Sequence, residues 1–201
     1  MPSPVVIVSG LGAPRLAAVV YGRALRAHGF STFAAPQRLL GYGCVRVAAR
    51  LVSEEVARVR EKTGAERVHV VGMSLGGLIG LYYVKCMDRG AHVDRFVSLG
   101  GPLNGSALAR LAAILPGDHA VTQAIPDNEF LREIHAAAPP KGVRMFSIGT
   151  RGDFLAPRAS FEATGLEVVE SPHGVFPVGH WMLFTHPKNH ALVARCLADG
   201  A

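Results

Sequence analysis

Apolar positions along the chain fall into two rhythms. Short runs rich in β-branched residues, at Pro4 to Ser9, Thr32 to Ala34, Arg67 to Met73, Val93 to Leu99, Val143 to Ile148 and Leu166 to Glu170, read as six strands. Between them, apolar residues recur at helical spacing. Arg15 to His28 has Leu16, Val19, Val20 and Ala24 on one face, and about Val45 to Lys62 has Val45, Ala48, Val52, Val56 and Val59. A helix follows Ser74 to about Asp88, and another closes the chain from Pro187 to about Ala198. Gly101 to about Pro140 reads as irregular and partly helical. Strands that alternate with helices predict an α/β architecture: a mostly parallel six-stranded sheet with helices on both faces. Such sheets bind ligands beyond the carboxyl ends of their strands, which is where each loop of interest falls.

The 201 residues are 49% hydrophobic, enough for one core, so 1–201 is expected to form a single domain with 102–140 as a small lid or pocket-wall region. No apolar run approaches the length that spans a bilayer. Met1-Pro2-Ser3-Pro4 lacks a basic segment and a separate apolar stretch, so no signal peptide is read and a cytoplasmic location is expected, or a secreted one if a leader has been trimmed. Cys44, Cys86 and Cys196 are scattered without metal or redox spacing and read as reduced thiols; no metal and no cofactor is expected. The formal charge is +6, and no Asp or Glu precedes Glu54, whereas Arg15, Arg23, Arg26, Arg38, Arg46 and Arg50 do. Two readings follow: a positive side with weak attraction to a membrane surface or an acidic substrate, or a solvated arginine surface. Without a tight basic cluster or interleaved aromatics, nucleic acid is not an expected partner. Oligomeric state is not readable.

The candidate chemistry centres on Arg67-Val68-His69-Val70-Val71-Gly72-Met73-Ser74-Leu75-Gly76-Gly77. A serine between two glycines, after a strand and before a helix, can sit on a sharp turn that lifts its hydroxyl clear of the sheet. The Leu75 amide then lies at a helix N-terminus, where an N–H can stabilise an oxyanion. A serine needs a base, and the base needs an orienting group. His180, expected in the loop between the last strand and the last helix, is the chosen base; His173, His186 and His190 are rivals. Asp153, just after a strand in Gly149-Thr150-Arg151-Gly152-Asp153, is the chosen carboxylate, whereas Asp127 reads as a helix N-cap and Asp94 lies at the wrong end of its strand. The turn Gly10-Leu11-Gly12-Ala13-Pro14-Arg15 lacks the third glycine and the later acid of a dinucleotide site, and reads instead as an oxyanion loop whose Leu11 amide joins that of Leu75.

Together these residues resemble the α/β-hydrolase fold, and within it the bacterial triacylglycerol lipases and esterases and the inositol-deacylase-like proteins. The resemblance spans almost the whole chain, including Ser98-Leu99-Gly100-Gly101-Pro102-Leu103-Asn104-Gly105-Ser106, which is similar to a Gly-Thr-Pro-His-x-Gly-Ser loop. It implies Ser74 as nucleophile, His180 as base, Asp153 as orienter, and the Leu11 and Leu75 amides as oxyanion hole. Ser9, Met73 and Leu103 stand where these families often have histidine. A minimal form of that fold, lacking the N-terminal antiparallel strands, is expected. Gly10, Met73, Leu103, Leu108, Leu111 and Trp181 are expected to line the substrate pocket, with Ser106 to Leu115 as a small amphipathic helix that either covers it or packs in the core.

These readings favour a cofactor-free serine esterase acting through an acyl-enzyme on a small-molecule or lipid ester. The alternatives are an acyltransferase or thioesterase with the same three residues, and a non-catalytic binding protein on a hydrolase fold.

Overall fold

A computed structural model describes residues 2–12, 15–36, 43–114 and 119–198, with the side chains of 112–114 excepted. Six strands form one all-parallel sheet: β1 (Val5–Val8), β2 (Thr32–Ala34), β3 (Val68–Met73), β4 (Val93–Leu99), β5 (Arg144–Gly149) and β6 (Glu167–Glu170). Their order is β2-β1-β3-β4-β5-β6. The β-branched runs exist because both faces of the sheet are covered. In β1, Val5 and Ile7 enter one apolar cluster while Val6 and Val8 enter the other.

On the first face lie α1 (Arg15–Arg26), α7 (Gly179–Thr185) and α8 (Pro187–Leu197), supplying Ala18, Tyr21, Leu25, Leu183, Val193 and Leu197 to the core. On the second lie α2 (Val45–Thr63) and α3 (Leu75–Tyr82), which continues as a π-helical segment over Tyr83–Asp88. Gly64 stops α2 in the left-handed conformation at φ 70°, its amide bonding to the Arg60 carbonyl. Between β4 and β5 come a 3-10 segment (Ala107–Ile114), α4 (Ala120–Gln123) and α5 (Glu129–Ala136); α6 (Arg158–Phe161) precedes β6.

Several expectations need correction. Helix α1 turns Ala18, Tyr21, Gly22 and Leu25 to the core, whereas Leu16 and Val20 of the expected apolar face are exposed. His180 lies in the first turn of α7, not in a loop. The N-cap of α5 is Asn128, whose side chain accepts from the Leu131 amide; Asp127 is the turn residue before it, at φ 64°. The expected helix from Ser106 is a 3-10 segment, and Leu115, like Arg38, lies outside the described residues.

The chain passes from β1 to β2 on one side and returns to β3 on the other. Loops after β1 and β3 therefore diverge at their carboxyl ends, leaving the crevice in which such sheets place ligands. Gly10, Leu11 and Ser74 border that crevice.

Candidate active site

Ser74 occupies φ 52°, ψ −127° between β3 and α3, a strained conformation for a residue with a Cβ. Its amide donates to the Leu99 carbonyl at 2.8 Å and its carbonyl accepts from the Gly77 amide at 2.7 Å, so the bend is held at both ends. The flanking glycines allow the approach. A Cβ on Gly72 would lie 2.3 Å from the Gly76 carbonyl oxygen, and one on Gly76 would lie 2.2 Å from the Val8 carbonyl oxygen. The loop after β1 also passes close, since a Cβ on Gly10 would come within 2.7 Å of Ser74 Cβ.

The Ser74 hydroxyl lies 3.0 Å from His180 Nε2, and His180 Nδ1 lies 2.6 Å from Asp153 Oδ2. A carboxylate against Nδ1 selects the tautomer that donates from Nδ1 and leaves the Nε2 lone pair facing the hydroxyl. His180 and Asp153 are both buried. The ring of His180 meets those of Trp181 and Phe184 edge-on, with centroids 5.9 and 5.1 Å away. Asp153 is fixed by its own turn: Oδ1 accepts the amides of Leu155 at 2.9 Å and Ala156 at 2.8 Å. Ser106 steadies the same turn by donating its hydroxyl to the Leu155 carbonyl at 2.7 Å.

The rival histidines make other contacts, although His190 also lines the cleft beside Ser74 and His180. His173 and His186 stack on each other at 4.8 Å, and His190 Nε2 donates to the Phe184 carbonyl at 2.8 Å. Asp94 pairs with Arg67 beside the start of β4.

A cleft of about 920 Å³ opens over Ser74 and His180. Of the residues expected in the pocket, Gly10, Met73, Leu108 and Trp181 line it, together with Leu11 and Leu75. Leu103 and Leu111 do not. Leu103 is fully buried in the core beneath, and Leu111 is 72% exposed and points off the cleft. Sequence reasoning missed the opposite wall, formed by Leu16, Ala17, Val20 and Ala24 of α1 with Phe184 of α7. The signal was present as an apolar face on α1, but periodicity cannot distinguish a core-facing stripe from a cleft-facing one. No Asp, Glu, Lys or Arg is among the described lining residues. Among the described residues no group of three or more His, Cys, Asp or Glu is arranged to hold a metal ion.

This geometry accompanies a family match. Residues 5–135 fit the family model for the alpha/beta hydrolase fold, and the chain belongs to that family. Solved structures agree in fold. The mature form of a Bacillus licheniformis lipase superposes with a TM-score of 0.81 at 14% identity, over 98% of this chain and 92% of that one. Aspergillus fumigatus lipase B gives 0.76 at 19% identity, over 96% of this chain and 52% of that one. A Paleococcus ferrophilus monoacylglycerol lipase gives 0.63 at 18% identity, over 98% and 96%.

Proposed function

We propose that the protein is a serine ester hydrolase that cleaves neutral, apolar carboxylic esters through an acyl-enzyme on Ser74. The observation that carries the reading is the continuous hydrogen-bonded line from the Ser74 hydroxyl through His180 to Asp153, at 3.0 and 2.6 Å. His180 Nε2 takes the hydroxyl proton as Ser74 Oγ attacks the ester carbonyl, and the imidazolium is stabilised by Asp153. The developing oxyanion is received by the amides of Leu75, at the start of α3, and Leu11, in the adjoining loop. His180 returns the proton to the leaving alcohol, then activates water, which releases the acid and restores Ser74.

The cleft supports the substrate class. Its described lining offers aliphatic and aromatic surface and no charged side chain, so charged acyl or alcohol groups lose their hydration without compensation there. Structurally similar proteins bear the names lipase and monoacylglycerol lipase, in keeping with a lipid-like ester.

The test is hydrolysis of p-nitrophenyl butyrate together with labelling by a fluorophosphonate probe. Ser74→Ala should lower kcat by roughly 10⁴-fold or more and abolish labelling. Undiminished turnover in that variant would refute the reading.

A further inference from the structure

The helix that begins at Ser74 ends at a second cavity, of about 760 Å³, beside the amino-terminal edges of β4 and β5. Its walls come from Tyr82, Lys85, Cys86 and Arg89 on one side and from Glu133 and the 136–141 stretch on the other. Three cations therefore border it: Lys85, Arg89 and Lys141. Lys85 is 3% exposed and lines this cavity, and no salt bridge to it is found among the described residues. The acids nearby are occupied. Asp88 accepts from the backbone amides of Gly90, His92 and Val93 and from the Tyr83 hydroxyl, and Glu133 is paired with Arg46.

A largely buried lysine with no carboxylate against it is costly, and an acid on the neighbouring turn would have been the simple remedy. The ends of the π-helical segment and of α5 both face this region. Their carbonyls contribute about half a negative charge each, which offsets only part of three full positive charges. The segment carrying Lys85 is π-helical, a widening of the turn that recurs at functional sites.

We propose that this cavity binds an organic phosphate. Lys85 supplies the buried point charge, while the exposed Arg89 and Lys141 close on the phosphoryl oxygens from the rim. Tyr82, Ala138, Pro139 and Pro140 form an apolar wall for the carbon portion. The volume exceeds what a bare phosphate ion fills, which favours a phosphate ester. Burial lowers the pKa of Lys85 below that of an ordinary lysine, and a bound anion would raise it again. This site is independent of Ser74 chemistry.

The experiment measures thermal unfolding and calorimetric binding of the full chain with inorganic phosphate and with glycerol 3-phosphate, against sodium chloride at matched ionic strength. Co-flotation with phosphatidylglycerol or phosphatidylcholine vesicles distinguishes a lipid headgroup from a soluble ester. Saturable binding of glycerol 3-phosphate, or selective flotation with phosphatidylglycerol, supports the proposal if Lys85→Met abolishes it. Lys85→Met should also melt at or above the wild-type temperature in phosphate-free buffer, with ester hydrolysis unchanged. The surface pair Arg89→Ala with Lys141→Ala, which leaves the buried position untouched, should weaken binding about tenfold or more. No phosphate- or headgroup-dependent signal in the wild type, or a signal retained by Lys85→Met, would overturn it.

Discussion

Asp153 uses both carboxylate oxygens, one to close its own turn on the Leu155 and Ala156 amides and the other to hold His180. This division of labour separates closure of the turn from orientation of the imidazole at a single residue. In Asp153→Asn the side-chain carbonyl can still close the turn, but the amide nitrogen cannot accept from Nδ1, which favours the wrong imidazole tautomer. We expect kcat to fall about 10⁴-fold with little change in melting temperature. A second residue-scale device lies beside it. The turns that bear Asp153 and His180 touch backbone to backbone, since a Cβ on Gly179 would lie 2.4 Å from the Gly152 carbonyl carbon. Gly179→Ala should push the two turns apart, costing about 1–3 kcal/mol in urea unfolding and lowering kcat more than it raises KM. Unchanged kinetics in that variant would show that the contact does not set the His180–Asp153 separation.

At the scale of elements, α1 and α7 act as cleft walls as well as core cover. Ala24 on α1 and Phe184 on α7 both line the cleft, and the small Ala24 side chain leaves space beside it. Ala24→Phe should fill that space: turnover of p-nitrophenyl esters with long acyl chains should drop at least about tenfold relative to butyrate, whose own hydrolysis is retained. An unaltered chain-length profile would assign the acyl chain to the other side, toward Leu108 and Leu155. The same elements mark the limits of legibility. Strands were readable because burial on both faces demands β-branched runs, and the Ser74 turn because its glycines follow from local sterics. Helix α7 was not, since Gly179–Thr185 is short and carries apolar side chains on its buried and exposed sides alike, Leu183 and Trp181 among them. Nor could the role of Leu103 be read. Its carbonyl accepts from His135 Nε2 on α5 at 3.1 Å, a contact between residues 32 apart that fixes the loop with Leu103 turned into the core.

Over the whole molecule, charge is more dispersed than the acid-free first 53 residues suggest. Arg15 donates to the Ala34 carbonyl, Arg26 to Thr32, and Arg46 is paired with Glu133, so part of the early excess is used in tertiary contacts. The net charge itself therefore says little about how stability responds to pH; individual sites decide it. Burial, with the nearby Lys85 charge adding to it, lowers the pKa of His135 below the ordinary 6.5. Its neutral ring is thus the form that folding favours, even though the Leu103 carbonyl pulls the other way. Between the lowered folded value and 6.5 the unfolded chain binds more protons than the native one, so stability rises with pH through that window and is lost as pH falls through it. His135→Gln keeps a donor for the Leu103 carbonyl and removes the titration. Urea unfolding between about pH 5 and pH 7 should therefore give a shallower dependence of ΔG on pH in the variant than in the wild type. Parallel profiles would mean that acid sensitivity arises elsewhere, with the stacked pair His173 and His186 the next place to look, since His173 is also shifted down by burial and by the neighbouring imidazole.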